Sequence, residues 1–224
     1  MRAPEGSEYA VLALLHTSPV HVPVFEALRD EAHPGLELRH FVDEELLRRA
    51  RRQGPAAVTD EVRAALRGAV AEGARAVLCT CSTIGGVAEA AGLSVPVLRV
   101  DRPMAAAAVA AGPRVVVLAA LRSTLAPTTA LIDEEARRAR RSVTVRSVLV
   151  DAAWPCFEAG DTEGYVREVA AAVDRVTDAD AIVLAQASMA PARHAATTPV
   201  PVLSSPAPGL AAAVRAMRAV TPTA

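Results

Sequence analysis

Short, unbroken apolar runs alternate along the chain with longer stretches of helical period. The first run, residues 9–15, reads as a buried strand and ends at His16-Thr17-Ser18-Pro19. Residues 23–32 follow as a helix, stopped by Pro34-Gly35. Residues 36–42 alternate and predict a second strand. Asp43 opens a polar, Arg-rich segment that runs to Gln53-Gly54-Pro55. Thr59 then serves as the N-cap of a helix whose apolar face is Val62, Leu66, Ala69 and Val70, and which ends near Gly73. A strand over 76–80, a tight turn, a short Ala-rich helix and a strand over 95–100 complete this half.

After Met104 the same order begins again. Residues 105–111 are helical, and 115–120 form an all-apolar strand ending at Arg122-Ser123-Thr124. A charged helix covers 128–140, a strand 142–150, and an amphipathic helix 164–176. The strand 181–185 runs into Gln186-Ala187-Ser188-Met189, and 200–203 closes the series before an Ala-rich helix from Gly209. A shift of 105 residues superposes the halves. Val11 falls on Val116, Ser18 on Ser123, and Cys81-Ser82-Thr83-Ile84 on Gln186-Ala187-Ser188-Met189. Val95-Pro96-Val97-Leu98 falls on the identical Val200-Pro201-Val202-Leu203. Only the middle slips, Asp43 matching Asp151 three residues further on.

A duplicated β-α-β-α-β unit follows: an α/β fold of two pseudo-symmetric lobes, each a mainly parallel sheet flanked by helices, with a cleft between them. Lobe 1 takes residues 1–98 and 204–224, and lobe 2 takes 99–203.

Composition narrows the function. Over half of the 224 residues are hydrophobic (52%), enough for a sizeable core, and the net charge of -1 gives no electrostatic case for nucleic acid or an acidic membrane. With 3% aromatics, base stacking has little to work with. No apolar run approaches the roughly 20 residues that span a bilayer, and no basic-then-apolar leader is visible. A soluble cytoplasmic protein is the expectation, with a symmetric homodimer the commonest assembly for such a chain. The chain has no lysine, which excludes a pyridoxal Schiff base and a P-loop. Cys79, Cys81 and Cys156 suit reduced thiols better than a disulfide framework, and neither they nor the five histidines show trustworthy metal spacing.

The chemistry concentrates at Val77 through Gly86, where an apolar run ends in Cys79-Thr80-Cys81-Ser82-Thr83 and glycines. Strand, turn and helix start in that order put the Cys81 thiol and free backbone N–H groups at the carboxyl edge of a sheet, where open α/β folds bind ligands. The helix dipole there favours thiolate and should lower the thiol pKa below its usual ~8.5. Cys79, inside the strand, reads as a buried structural cysteine. The Arg-rich runs 48–52 and 137–141 read as solvated helix faces, and 154–158 as an aromatic-apolar loop serving as lid, subunit contact or packing.

Cys81-Ser82-Thr83, the related corner Ala185-Gln186-Ala187-Ser188-Met189, and Ser18 and Thr124 after the matching first strands resemble the aspartate/glutamate/hydantoin racemase superfamily. The resemblance covers about residues 11–214. It implies two α/β lobes, no cofactor, and a small carboxylate substrate held between a cysteine from each lobe. Ser82 stands where Asn is usual, and Gln186 stands where the second cysteine is expected. Gln186 has no acid or base function near neutral pH. On this resemblance Cys81 is the thiolate base or nucleophile, Gln186 the second-side position, and Ser18, Ser82, Thr83, Ser123, Thr124, Ala187 and Ser188 the substrate-binding set. His16, His21, Asp101 and Glu158 are candidates for the missing acid/base; structurally, the histidines would anchor loop backbone and the acids would cap or pair. The activities implied are racemisation next to a carboxylate, a one-cysteine decarboxylation or cis-trans isomerisation of a small dicarboxylate, or small-acid binding without chemistry.

Overall fold

The computed structural model describes residues 11–219. The expected strand start at Tyr9 and the loose segment 1–8 lie outside them. The first half runs β1 (Val11–His16), α1 (Val22–Ala32), β2 (Glu37–Val42), α2 (Glu44–Gln53), α3 (Thr59–Ala71), β3 (Ala74–Cys79), α4 (Ser82–Glu89) and β4 (Val97–Arg99). The second half runs α5 (Arg102–Ala111), β5 (Arg114–Ala119), α6 (Arg122–Ala139), β6 (Thr144–Leu149), α7 (Ala153–Glu158), α8 (Thr162–Asp174), β7 (Ala181–Leu184), α9 (Ala192–Ala195), β8 (Val202–Leu203) and α10 (Pro206–Ala219). They build two four-stranded sheets in the orders β2-β1-β3-β4 and β6-β5-β7-β8, parallel throughout.

The continuous apolar runs are the central strands, covered by helices on both faces. Along β1 the side chains alternate: Leu12 and Leu14 pack with Phe25 of α1 and Leu210 and Val214 of α10. Ala13 and Leu15 pack the other way, on Leu46, Val62 and Leu66. In β5, Val116 and Leu118 meet Val169 and Val173 of α8, while Val115 and Val117 meet Val109, Leu131 and Ile132. The C-terminal helix thus returns to the first sheet. It approaches so closely that a Cβ on Gly209 would collide with the Val100 carbonyl.

The Arg-rich segment after Asp43 is the helix α2, capped by the Asp43 carboxylate, which accepts from the N–H groups of Glu45 (3.0 Å) and Leu46 (3.4 Å). Two local expectations need correction. Residues 154–158 are helical, within α7. Helix α6 starts at Arg122 and carries Pro127 inside it, so Ser123 and Thr124 belong to its first turn. The helix was expected only from 128; the N–H that Pro127 lacks costs one bond near the helix start.

The repeat is real but its register differs. Thr80 N–H bonds Leu15 O (3.0 Å), and Ala185 N–H bonds Leu118 O (2.9 Å). Cys79 pairs with Leu15, and Leu184 with Leu118. The shift of 105 therefore holds from β3 to β7, whereas Leu15 corresponds to Leu118, two residues short of it. Thr17 and Ser18 are the counterparts of Ala120 and Leu121, not of Arg122 and Ser123. Asp43 N–H bonds His16 O as Val150 N–H bonds Ala119 O, so Asp43 matches Val150 rather than Asp151. Sequence matching aligned hydroxyl residues; the sheet hydrogen bonds align positions.

Candidate active site

Each sheet reverses strand order between its first and third strands, and a crevice opens beyond their carboxyl ends. The two crevices face each other and form one cavity of about 350 Å³. Thr17, Ser18, Thr80 and Cys81 line it from the ends of β1 and β3, with Ser82 and Thr83 from the first turn of α4. Leu121, Thr124, Gln186, Ala187 and Ser188 line it from the other lobe.

Cys81 is the N-cap of α4 in extended conformation (φ -104°, ψ 113°) and is half-buried against this cavity. Burial pushes its thiol pKa up; the Thr17 hydroxyl and the N–H groups of Ile84 and Thr83 act against that, and desolvation wins. The expected lowered pKa is thereby corrected: at neutral pH the resting group is the thiol. Cys79 is fully buried in the core, and burial raises its pKa further.

Gln186 occupies the corresponding corner of lobe 2. Its Oε1 accepts from Ala120 N–H (2.6 Å) and Leu121 N–H (3.1 Å). The amide oxygen is thus tied to the turn after β5, and only its NH₂ donors remain to offer the cavity. Ser82 donates its hydroxyl to Ala185 O at 2.8 Å, a bond between the lobes. Ser188 shares a hydrogen bond of 2.9 Å with the Tyr165 hydroxyl.

Of the other expected site residues, Ser18, His21, Thr83, Thr124 and Ala187 do line the cavity. Four do not. Ser123 turns its hydroxyl into the protein, buried without a partner. Asp101 is fully buried under α4 in a bidentate pair with Arg99, at 2.7 and 2.9 Å. A side chain on Gly85 would press on Arg99, which explains the glycine at that point of α4. Glu158 is exposed at the end of α7. His16 lies behind the cavity wall: its Nδ1 meets Thr80 Oγ1 and its Nε2 meets His40 Nδ1, both at 2.8 Å. His40 Nε2 in turn meets Glu26 Oε1 at 2.8 Å. The two histidines do not anchor loop backbone as expected. Burial lowers the His16 pKa to about 3, with His40 and His21 adding to the effect, and burial lowers that of His21 to about 4.

Sequence reasoning missed several lining residues. Arg48 and Arg51, read as part of a solvated face, stand three residues apart on α2 and border the cavity. Their neighbours Arg49 and Arg52 do not line it; Arg49 pairs with Glu61, and Arg52 shares Glu45 with Arg48. Trp154 and Phe157 of α7, expected as lid, subunit contact or packing, line the cavity from lobe 2, with the Arg51 guanidinium 5.5 Å from the Trp154 ring centre. A further link between the lobes joins Arg102 to Glu89 of α4 and to Glu134 and Glu135 of α6.

The family model for Asp/Glu/Hydantoin racemase matches residues 13–216, and the chain belongs to that family. Among solved structures, Picrophilus torridus aspartate racemase superposes with a TM-score of 0.73 at 14% identity, covering 93% of this chain and 94% of that one. Allantoin racemase from Pseudomonas fluorescens gives 0.57 at 20% identity, covering 96% and 93%. A Gly-to-Cys mutant of arylmalonate decarboxylase in its sulfate ion associated form gives 0.61 at 21% identity, covering 94% of each chain. No curated protein matches the sequence. These likenesses establish the fold. No helix among the described residues is long and apolar enough to cross a membrane.

Proposed function

We propose that the protein is a cofactor-independent enzyme that moves one proton at the carbon next to a carboxylate of a small acid, with Cys81 as the group that moves it. The observation that carries this is the asymmetry of the cavity. Lobe 1 contributes Cys81, together with His21, Glu44, Arg48 and Arg51. The residues lobe 2 contributes, from Leu121 to Ser188, include no ionisable side chain. A two-base racemase needs a proton acceptor on one face of the carbon and a donor on the other, and here only one face has such a group.

One-sided chemistry fits decarboxylation of a small dicarboxylic acid best. The carbon–carboxylate bond breaks and CO₂ leaves. The electron pair stays on the α-carbon, delocalised into the remaining carboxylate. The Cys81 thiol then donates its proton to that carbon, and the thiolate is reprotonated from solvent. A thiol with a raised pKa is the right resting form for this step, as a lowered one would not be. Apolar groups from Leu121, Trp154 and Phe157 line the cavity. Such walls disfavour a charged carboxylate and favour loss of neutral CO₂. The retained carboxylate has the Thr83 N–H, the Ser18 and Thr124 hydroxyls, the Gln186 NH₂ and the arginines of α2 to meet it. The family match supports racemisation as the second reading, with His21 the one neutral base beside the cleft.

Cys81→Ala and Cys81→Ser are expected to lose at least about 100-fold in turnover. Near-normal activity in both overturns the role of Cys81. Release of CO₂ marks decarboxylation, and exchange of the α-hydrogen with solvent deuterium without CO₂ marks racemisation.

A further inference from the structure

A second chamber lies next to the cavity at Cys81, and His21, Phe157, Ala187 and Ser188 form the partition that lines both. That chamber measures about 530 Å³ and is lined by Val20, Val24 and Leu28 from the first lobe and by Tyr165 from α8. Aromatic rings run from one chamber into the other. Trp154 borders the first, Phe157 both, and Tyr165 the second, with ring centres 4.8 Å and 5.4 Å apart in that order. The chain has one Trp, two Tyr and three Phe, so three rings in one row is a concentration. Val20 and Val24 are 47% and 37% exposed, an apolar surface left open to this chamber.

Size points the same way. At roughly 30 Å³ per water-sized group, the first chamber takes on the order of ten non-hydrogen atoms. A simple four- or five-carbon diacid fits there and leaves the second chamber empty.

We propose that the substrate is a small acid with an apolar arm, its carboxylate end at Cys81 and its arm passing His21 and Ser188 into the second chamber along Phe157 and Tyr165. This rests on the reading of the first chamber as the substrate site. The passage suits an uncharged group. The Ser188 hydroxyl is engaged by Tyr165, and burial keeps the His21 imidazole neutral at neutral pH.

The test compares succinate with benzylsuccinate in protecting Cys81 of the full chain from iodoacetamide, followed by peptide mass spectrometry. Each methylene-sized group buried tightens binding about fourfold, so a half-buried benzyl arm tightens it on the order of 100-fold. The ratio of the two protection constants is expected to reach that range, and to collapse several-fold or more in Val24→Asp, whose site is partly exposed and tolerates the charge. Ala190→Trp, which fills the second chamber, is expected to act likewise. Equal protection by the two acids overturns the arm and leaves the Cys81 site standing. Absence of protection by either acid up to its solubility limit overturns both. Sedimentation showing a dimer that Val24→Asp dissociates assigns the valine face to a second copy and overturns the arm as its occupant.

Discussion

Acid should unfold this protein through its buried histidines, and the size of the effect follows from their surroundings. His16 is fully buried with its ring nitrogens held by Thr80 and His40. Its pKa is about 3, against 6.5 for a free side chain. Above pH 6.5 the ring is neutral in both the folded and unfolded chain, and its contribution is fully present. Below 6.5 the unfolded chain binds a proton that the folded one refuses, so stability falls with pH until the folded ring titrates near 3. The slope is about 1.4 kcal/mol per pH unit, and the whole window amounts to roughly 4–5 kcal/mol. His21, lowered to about 4, adds a smaller loss in the same direction. Against a typical total of roughly 5–15 kcal/mol, this is a large share. Urea unfolding of wild type and His16→Gln between pH 7.5 and 4.5 measures it. Glutamine still offers a donor and an acceptor but cannot titrate. The wild-type stability is expected to fall more steeply, by about 2–3 kcal/mol between pH 6.5 and 4.5, whatever the offset at pH 7.5. Parallel curves would refute the assignment of a buried neutral imidazole at this position.

Other expectations follow from the same geometry. Ser82→Ala removes the hydroxyl bond to Ala185 O between the lobes and leaves that carbonyl unpaired; a loss of about 1–2 kcal/mol in urea unfolding checks it. Arg51→Ala removes a cation at the cavity mouth and its seat over Trp154; KM should rise about tenfold with kcat little changed, and added salt should narrow the gap. Gln186→Cys places a titratable group on the lobe 2 face; exchange of the α-hydrogen of a small chiral acid with solvent deuterium, with racemisation, is expected to appear in this variant and to need Cys81.

The fold could be read from the sequence because its central strands are apolar on both faces. Runs such as Val11 to Leu15 and Val115 to Ala119 have no other reading when they recur in order with amphipathic helices. The edge of the cleft was less legible. Ser123 and Thr124 look alike as hydroxyls after a strand, but inside the first turn of α6 they stand about 100° apart around the helix, and of the two only Thr124 lines the cavity. Asp101 was expected to cap or pair at the surface; that its pair with Arg99 is fully buried follows from β4 packing against α4, which the local sequence does not show. Arg48 and Arg51 carry a helical i, i+3 signal, yet nothing local says that their side of α2 meets a second lobe. The Cys81 pKa went the wrong way for a similar reason. A helix N-terminus is visible in sequence, whereas the packing that desolvates the thiol is made by residues distant in the chain.

The central claim is proton delivery by one thiol to one face of the carbon. Its most direct test is turnover of a malonic acid bearing two different α-substituents, one of them an apolar arm, in deuterated water. The account predicts CO₂ release and a product with a single deuterium in one configuration, lost in Cys81→Ala. A racemic product, or turnover that survives the loss of Cys81, would contradict it.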